Sequence, residues 1–89
     1  MTGRLFLVEL TARGAADDAV AMHRALRQAV HRLAAGGVPI DWCSALLLPD
    51  GCCLCLLHAD AAADVARACD TAALPTPSVR PARLLEDPS

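Results

Sequence analysis

Lysine and tyrosine do not occur in this chain, and Phe6 and Trp42 are its only Phe, Tyr or Trp residues. Proteins that hold nucleic-acid strands combine a basic groove with aromatic side chains on which bases stack. Here the eight basic residues are all Arg, no basic stripe stands out, and the formal charge is −2. Nucleic-acid binding is therefore not expected. The Arg-for-Lys and Ala-rich usage looks like a genome rich in G and C, a matter of codons rather than function. Long apolar runs are missing too: none approaches the roughly 18 residues of a spanning helix, so no membrane role is expected. The opening MTGRLFLVEL has one Arg, is interrupted by Glu9 and lacks a small-residue cleavage site, so it reads as a strand rather than a signal peptide. Catalytic signatures are equally scarce. There is no G-x-S-x-G, no Ser stands beside a histidine, and Gly36-Gly37 follows a helical stretch instead of opening one as a phosphate loop does.

What remains is aliphatic. Hydrophobic residues make up 55% of 89 positions, enough to drive folding of one domain and too short a chain for two cores. With aromatics nearly absent, the core must be built from Leu, Val and Ala, with Met and Cys filling gaps. So apolar a small chain carries more surface than one subunit can bury, and oligomerisation is the simplest cover. The odd count of five cysteines is expected to stay reduced, as in a cytoplasmic protein.

Along the chain, RLFLVEL (4–10) is a short apolar run that predicts a strand, with Glu9 as its lone charge. Residues 15–35 repeat Ala19, Met22, Leu26, Ala29, Val30 and Leu33 at helical spacing, with Asp17 and Asp18 in the first turn complementing the dipole. Gly36-Gly37 ends that helix. VPIDWCSALLL (38–48) predicts a second strand, and Pro39 near its start suggests an edge position or an irregular entry. Pro49-Asp50-Gly51 is a turn signature that returns CCLCLLH (52–58) antiparallel as a third strand. Asp60 is the expected N-cap of a second helix over 61–72, with His58 beside it as a cap helper. Pro75 and Pro77 break that helix. SVRPARLL (78–85) is the last strand, and Pro81 makes it an edge or irregular one.

This order is β-α-β-β-α-β, so the expected fold is α+β and ferredoxin-like: one domain over 1–89 with EDPS (86–89) as a frayed tail. Two helices should cover one face of a four-stranded antiparallel sheet. The strands are apolar at successive positions, so the second face also needs a cover. The expected cover is another copy, sheet against sheet, giving a homodimer of the dimeric α+β barrel kind.

The run GCCLCLLHAD (51–60) looks like a ligand set, but strand parity divides it. Cys53, Cys55 and Leu57 share one face; Cys52, Leu54, Leu56 and His58 share the other. Cys53 and Cys55 are roughly 6.5–7 Å apart along a strand, a spacing that would flank a soft metal only with backbone distortion. No second CxxC or HxxxH follows, and a vicinal Cys52–Cys53 disulfide would be strained. Most of these thiols are expected to pack as small hydrophobes. His23 lies about 100° around its helix from Met22, on the rim of the buried stripe, while His31 falls on the exposed side. Glu9 either faces water or serves a site. Asp41, next to Trp42, could line a pocket mouth.

Several patterns together, FLVE (6–9), A-x-H from Ala21 to His23, a hairpin ending in LPDG, and CLCL followed by a helix and LP, resemble a family of small actinobacterial proteins typified by a nickel-binding protein. The resemblance spans nearly the whole chain and implies a ferredoxin-like dimer with nickel held at histidine-rich positions. His23 matches the helix histidine and Cys55 the strand-three cysteine of that family. Glu9 and Leu10 stand where nickel-binding members carry histidines, and Leu74 stands near a further one. The expected metal ligands are thus His23, Glu9 and Cys55, for a divalent ion such as nickel or zinc that accepts imidazole, carboxylate and thiolate together. The leading functional expectation is a cytoplasmic homodimer that binds a metal ion or small molecule without catalysis. Two alternatives stand beside it. One is a dimeric α+β barrel enzyme acting on a small apolar molecule, with His23 as acid/base and Trp42 as a wall. The other is a protein-interaction module whose apolar sheet face pairs with a partner.

Overall fold

A computed structural model describes residues 3–11, 16–74 and 78–85, with the side chains of 16–18 excluded. The elements run β1 (Arg4–Thr11), α1 (Ala16–Ala35), β2 (Ile40–Leu47), β3 (Cys52–Ala59), α2 (Ala62–Thr71) and β4 (Ser78–Ala82). All strand pairings are antiparallel, in the order β2-β3-β1-β4. Two β-α-β units therefore interleave, each with a strand of the other between its own two. This is the expected α+β, ferredoxin-like arrangement. The proline-bearing strands lie where an absent N–H costs no ladder bond: β4, with Pro81, and β2, just after Pro39, are the two edges.

Side-chain parity decides which face is covered. Phe6, Val8 and Leu10 of β1, Cys53, Cys55, Leu57 and Ala59 of β3, and Ile40 of β2 are buried against Ala19, Leu26 and Val30 of α1 and Val65, Ala68 and Cys69 of α2. Both helices thus lie on one face. The buried stripe of α1 is the one its spacing predicts. The strands, in contrast, are buried on the second side only at one end each: Leu5 of β1 and Cys52 of β3 are buried there, but Leu7, Glu9, Leu54, Leu56 and His58 are only half-buried, and most of β2 is exposed. Apolar residues at successive positions do not mean a doubly covered strand within one copy.

Loop chemistry closes the elements. Gly37, at φ 96°, takes the left-handed position after α1. Val38 N–H donates to Leu33 C=O (2.9 Å) and Gly37 N–H to Ala34 C=O (3.1 Å), which satisfies the helix's last carbonyls in a Schellman cap. α2 ends the same way, with Leu74 N–H to Cys69 C=O and Ala73 N–H to Asp70 C=O, but the left-handed residue is Ala73, at φ 55°. In the hairpin, Gly51 at φ 90° donates to Leu48 C=O (2.9 Å), and the Asp50 carboxylate accepts Cys52 N–H at 2.9 Å. The Pro-Asp-Gly turn forms as its residues require.

Two expectations need correction, and one feature is new. The N-cap of α2 is Ala61 and makes no side-chain bond, so Asp60 does not cap it; His58 instead stands in β3 between Leu5 and Asp41. β4 stops at Ala82, leaving Leu84 and Leu85 exposed beyond it. A bulge interrupts β2: Trp42 pairs with Leu57 and Ser44 with Leu56, so Cys43 is an extra residue. The expected roles of Asp17, Asp18, Pro75, Pro77 and the EDPS tail lie outside the described residues.

Candidate functional site

The bulge at Cys43 shapes a recess that gathers chemically versatile side chains. Simple alternation from Trp42 would send Ser44 and Leu46 toward the helices. The extra residue resets the phase, so Trp42, Ala45 and Leu47 share the covered face with Leu57, Cys55 and Cys53 opposite them. Ala45 is too small to fill the space that α1 leaves above this edge. The result is a cleft of about 160 Å³ lined by Val20, His23, Ala45, Leu46, Leu47 and Cys53.

His23 reaches it from α1. One residue beyond Met22, it turns toward β2 and packs on Trp42 with ring centroids 5.3 Å apart and planes inclined at 59°, an ordinary tilted aromatic pair. Its pKa is lowered from the usual histidine value, first by burial and then by the Arg27 and Arg24 charges on the same helix. The imidazole is therefore neutral at pH 7, with one nitrogen free to accept a proton or a metal.

Cys53 faces the same cleft from β3. Its Sγ lies 3.9 Å from Cys55 Sγ. Side-chain rotation brings the sulfurs this close on a regular strand, without the backbone distortion that Cα spacing alone suggests. Cys55 is fully buried, and burial, with the neighbouring Cys53 thiol second, pushes its pKa far up. Cys69 on α2 is pushed up to about 11, by burial and then by Asp70. Thiols held protonated in this way are inert packing groups and not nucleophiles. All five cysteines are unbridged, and Cys43, on the bulge, is exposed.

Glu9 is elsewhere. It pairs with Leu54 and Ser78 on the uncovered face, whereas Cys55 pairs with Val8 on the covered one. The Glu9 carboxylate accepts from Arg80 at 2.9 Å, in an exposed ion pair, and from the Cys52 thiol at 3.7 Å. Burial raises the Cys52 pKa, Thr11 partly offsets it, and the Glu9 charge adds to it. The sheet thus separates Glu9 from His23 and Cys55. Among the described residues, no three His, Cys, Asp or Glu side chains come together as a metal-holding group. Asp41 stands opposite His58 on the uncovered face and not at the cleft, and His31 is exposed.

Cys53 is the cleft residue that sequence reasoning passes over. Its signal is present in the parity that places it beside Cys55, once α1 is assigned to that face. The cleft's outer wall, Ala45 and Leu47, depends on the bulge, which no local residue pattern announces. No helix among the described residues is long and apolar enough to cross a membrane. Comparison with known proteins finds no matching family, no matching curated protein and no matching solved structure. The likeness to the small actinobacterial family accordingly rests on the FLVE, A-x-H, LPDG and CLCL patterns alone.

Proposed function

We propose that the protein is a non-catalytic binding protein, a cytoplasmic homodimer that takes a small, mostly apolar ligand in the cleft beside α1. The observation that carries this reading is the cleft's composition: aliphatic walls, one neutral imidazole and one thiol. Its 160 Å³ is below the roughly 300–1,000 Å³ of ordinary ligand pockets, so the ligand is a molecule of few heavy atoms with one polar group for His23. A catalyst would need a second acid, base or nucleophile converging there, and the Cys55 thiol behind Cys53 is buried with its pKa raised. Unbridged cysteines fit a reducing compartment.

A second reading rests on the sulfur pair. Two Zn–S bonds of about 2.3 Å at a tetrahedral angle span about 3.8 Å, close to the 3.9 Å between Cys53 and Cys55. A zinc or nickel ion on the two sulfurs would be the alternative occupant; His23 borders the same cleft as Cys53 but is not gathered with the pair into a three-ligand group among the described residues.

Trp42, packed on His23, is the chain's only tryptophan and reports on the cleft. Titration of untagged protein with cyclohexanol and, separately, with zinc should give a saturable change in Trp42 emission with one of the two. Val20→Phe should fill the cleft and abolish the organic response, and Cys53→Ser should abolish the metal one. Absence of any saturable change with either probe overturns the proposal.

A further inference from the structure

Cys53 and Cys55 are neighbours on the covered face of β3, with sulfurs 3.9 Å apart and no bridge between them. Strand geometry keeps them as separate thiols. Residues two apart on a strand have Cα atoms roughly 6.5–7 Å apart, at or beyond the upper end of what a disulfide spans. The sulfurs nevertheless lie close enough for one ion to touch both. Metal–sulfur bonds of about 2.3 Å bridge the 3.9 Å gap at an angle of roughly 116°. That angle suits trigonal and tetrahedral ions alike, so donor supply, and not spacing, chooses between them.

The surroundings of the pair are hydrocarbon. Cys53 lies between Leu10 and Leu47 in the ladder, and Cys55 between Val8 and Ala45. Among the described residues no polar or charged side chain is buried, and no third His, Cys, Asp or Glu gathers with the two thiols. Zinc in a protein takes four donors in a tetrahedron. Here it would find two sulfurs and have to draw the rest from water in an aliphatic setting. Soft thiolates also select monovalent copper, and that ion is satisfied by two or three donors.

We infer that Cys53 and Cys55 together bind one copper(I) ion per chain, with both thiolates as ligands and the cleft as its entry path. The inference rests on the sulfur-pair reading of the proposed function and names the ion. Binding replaces two S–H bonds by two Cu–S bonds; both protons pass to solvent, and copper keeps its oxidation state. A protonated thiol is no nucleophile, but a soft ion displaces its proton. The resulting group carries a single negative charge. Arg24 and Arg27, whose charges act on His23 at the cleft, have the sign that favours it. Access runs through Cys53, which borders the cleft, whereas Cys55 is fully buried behind it.

The test uses the untagged full chain carrying Cys43→Ser, which removes the exposed thiol that would compete for the ion. It is titrated without oxygen against copper(I) held as its bicinchoninate complex, and loss of that complex's colour reports transfer. One equivalent per chain should transfer. Cys53→Val should weaken uptake by about a hundredfold or more, beyond what loss of an outer-shell partner costs. Cys55→Ala should do the same, whereas Cys52→Ser, on the opposite face, should not. Far-UV circular dichroism checks that each variant folds. Zinc offered in a parallel dialysis should wash out. Zinc held as firmly as copper, or in its place, overturns the inference and leaves the sulfur-pair reading standing. Retention of neither ion overturns both. Copper uptake indifferent to Cys53→Val and Cys55→Ala overturns the inference, because the ion then sits on other thiols.

Discussion

Leu56 and Leu57 are neighbours in β3 and provide a controlled comparison of the two sheet faces. Leu57 is fully buried between Phe6 and Trp42 in the ladder and under the helices. Leu57→Ala leaves a cavity in the aliphatic core and should cost about 2–5 kcal/mol of folding stability. Leu56 is half-buried on the uncovered face. Truncating it removes three carbons worth about 0.8 kcal/mol each when taken fully out of water, roughly half of which one copy already realises. Leu56→Ala should therefore cost about 1 kcal/mol in the fold. If two copies close on this face, a further ~1 kcal/mol per copy is lost at the interface, about 2 kcal/mol per dimer or roughly thirtyfold in dissociation constant. Urea unfolding at protein concentrations above and below the dimer's dissociation constant separates the two effects. Leu57→Ala should lower the midpoint at every concentration; Leu56→Ala should lower it mainly where the native chain is dimeric. The parity argument fails if Leu56→Ala is as costly as Leu57→Ala in the monomer.

Ala73 holds φ 55° at the end of α2, where a glycine pays no steric penalty. Ala73→Gly should therefore stabilise the protein by about 0.5–1 kcal/mol, net of the extra freedom glycine gives the unfolded chain, read as an upward shift in thermal midpoint. His23 makes stability depend on pH. Its native pKa is below the unfolded value, so between the two the unfolded chain binds more protons and stability rises with pH. Stability should be fully present above the ordinary histidine value of 6.5 and fall as the pH drops below it toward the native value. His23→Gln should remove that part of the slope in unfolding curves taken from pH 8 to pH 5, and an unchanged slope would refute a desolvated imidazole at the cleft.

The order of elements is legible because each carries a local signal. α1 has its aliphatic stripe and its glycine stop, the hairpin has Pro49-Asp50-Gly51, and the edge strands have their prolines. Strand parity within β3 is legible for the same reason, since a period of two needs no knowledge of the partner strand. What cannot be read depends on contacts between distant segments. The bulge at Cys43 shifts the phase of β2 against β3 and is fixed by how Trp42 and Ala45 fit the helix face, not by the dipeptide Cys43-Ser44. The Glu9–Arg80 pair joins residues 71 positions apart. A lone acid in an apolar strand suggests a site, which is what groups Glu9 with His23 and Cys55 in the sequence. The alternation that divides the cysteines divides Glu9 from them too, since Val8 and not Glu9 pairs with Cys55.

The thiols themselves follow from the scarcity of aromatics. α1 lies chiefly over β2 and β3, and α2 over β3 and β4, so β3 passes beneath both helices. A central strand in that position has little height available above it. Cys53, Cys55 and Ala59 are small, and Leu57 is the one large side chain on that face of β3. Cysteine is larger than alanine, unbranched and tolerant of an apolar setting, so it fills the gap without forcing a helix outward. That requirement accounts for the size of Cys55 and Cys69: both are buried with raised pKa and neither borders the cleft. It does not account for Cys53 in the same way. A residue whose only task is to fill space under α1 has no need to border an open recess beside a neutral imidazole, where valine would seal the wall and exclude water better. Cys53 is therefore the thiol at which the packing account and the proposed binding role make different predictions: substitution by valine should leave the fold intact and, if the cleft binds as proposed, should remove the saturable response to the ligand.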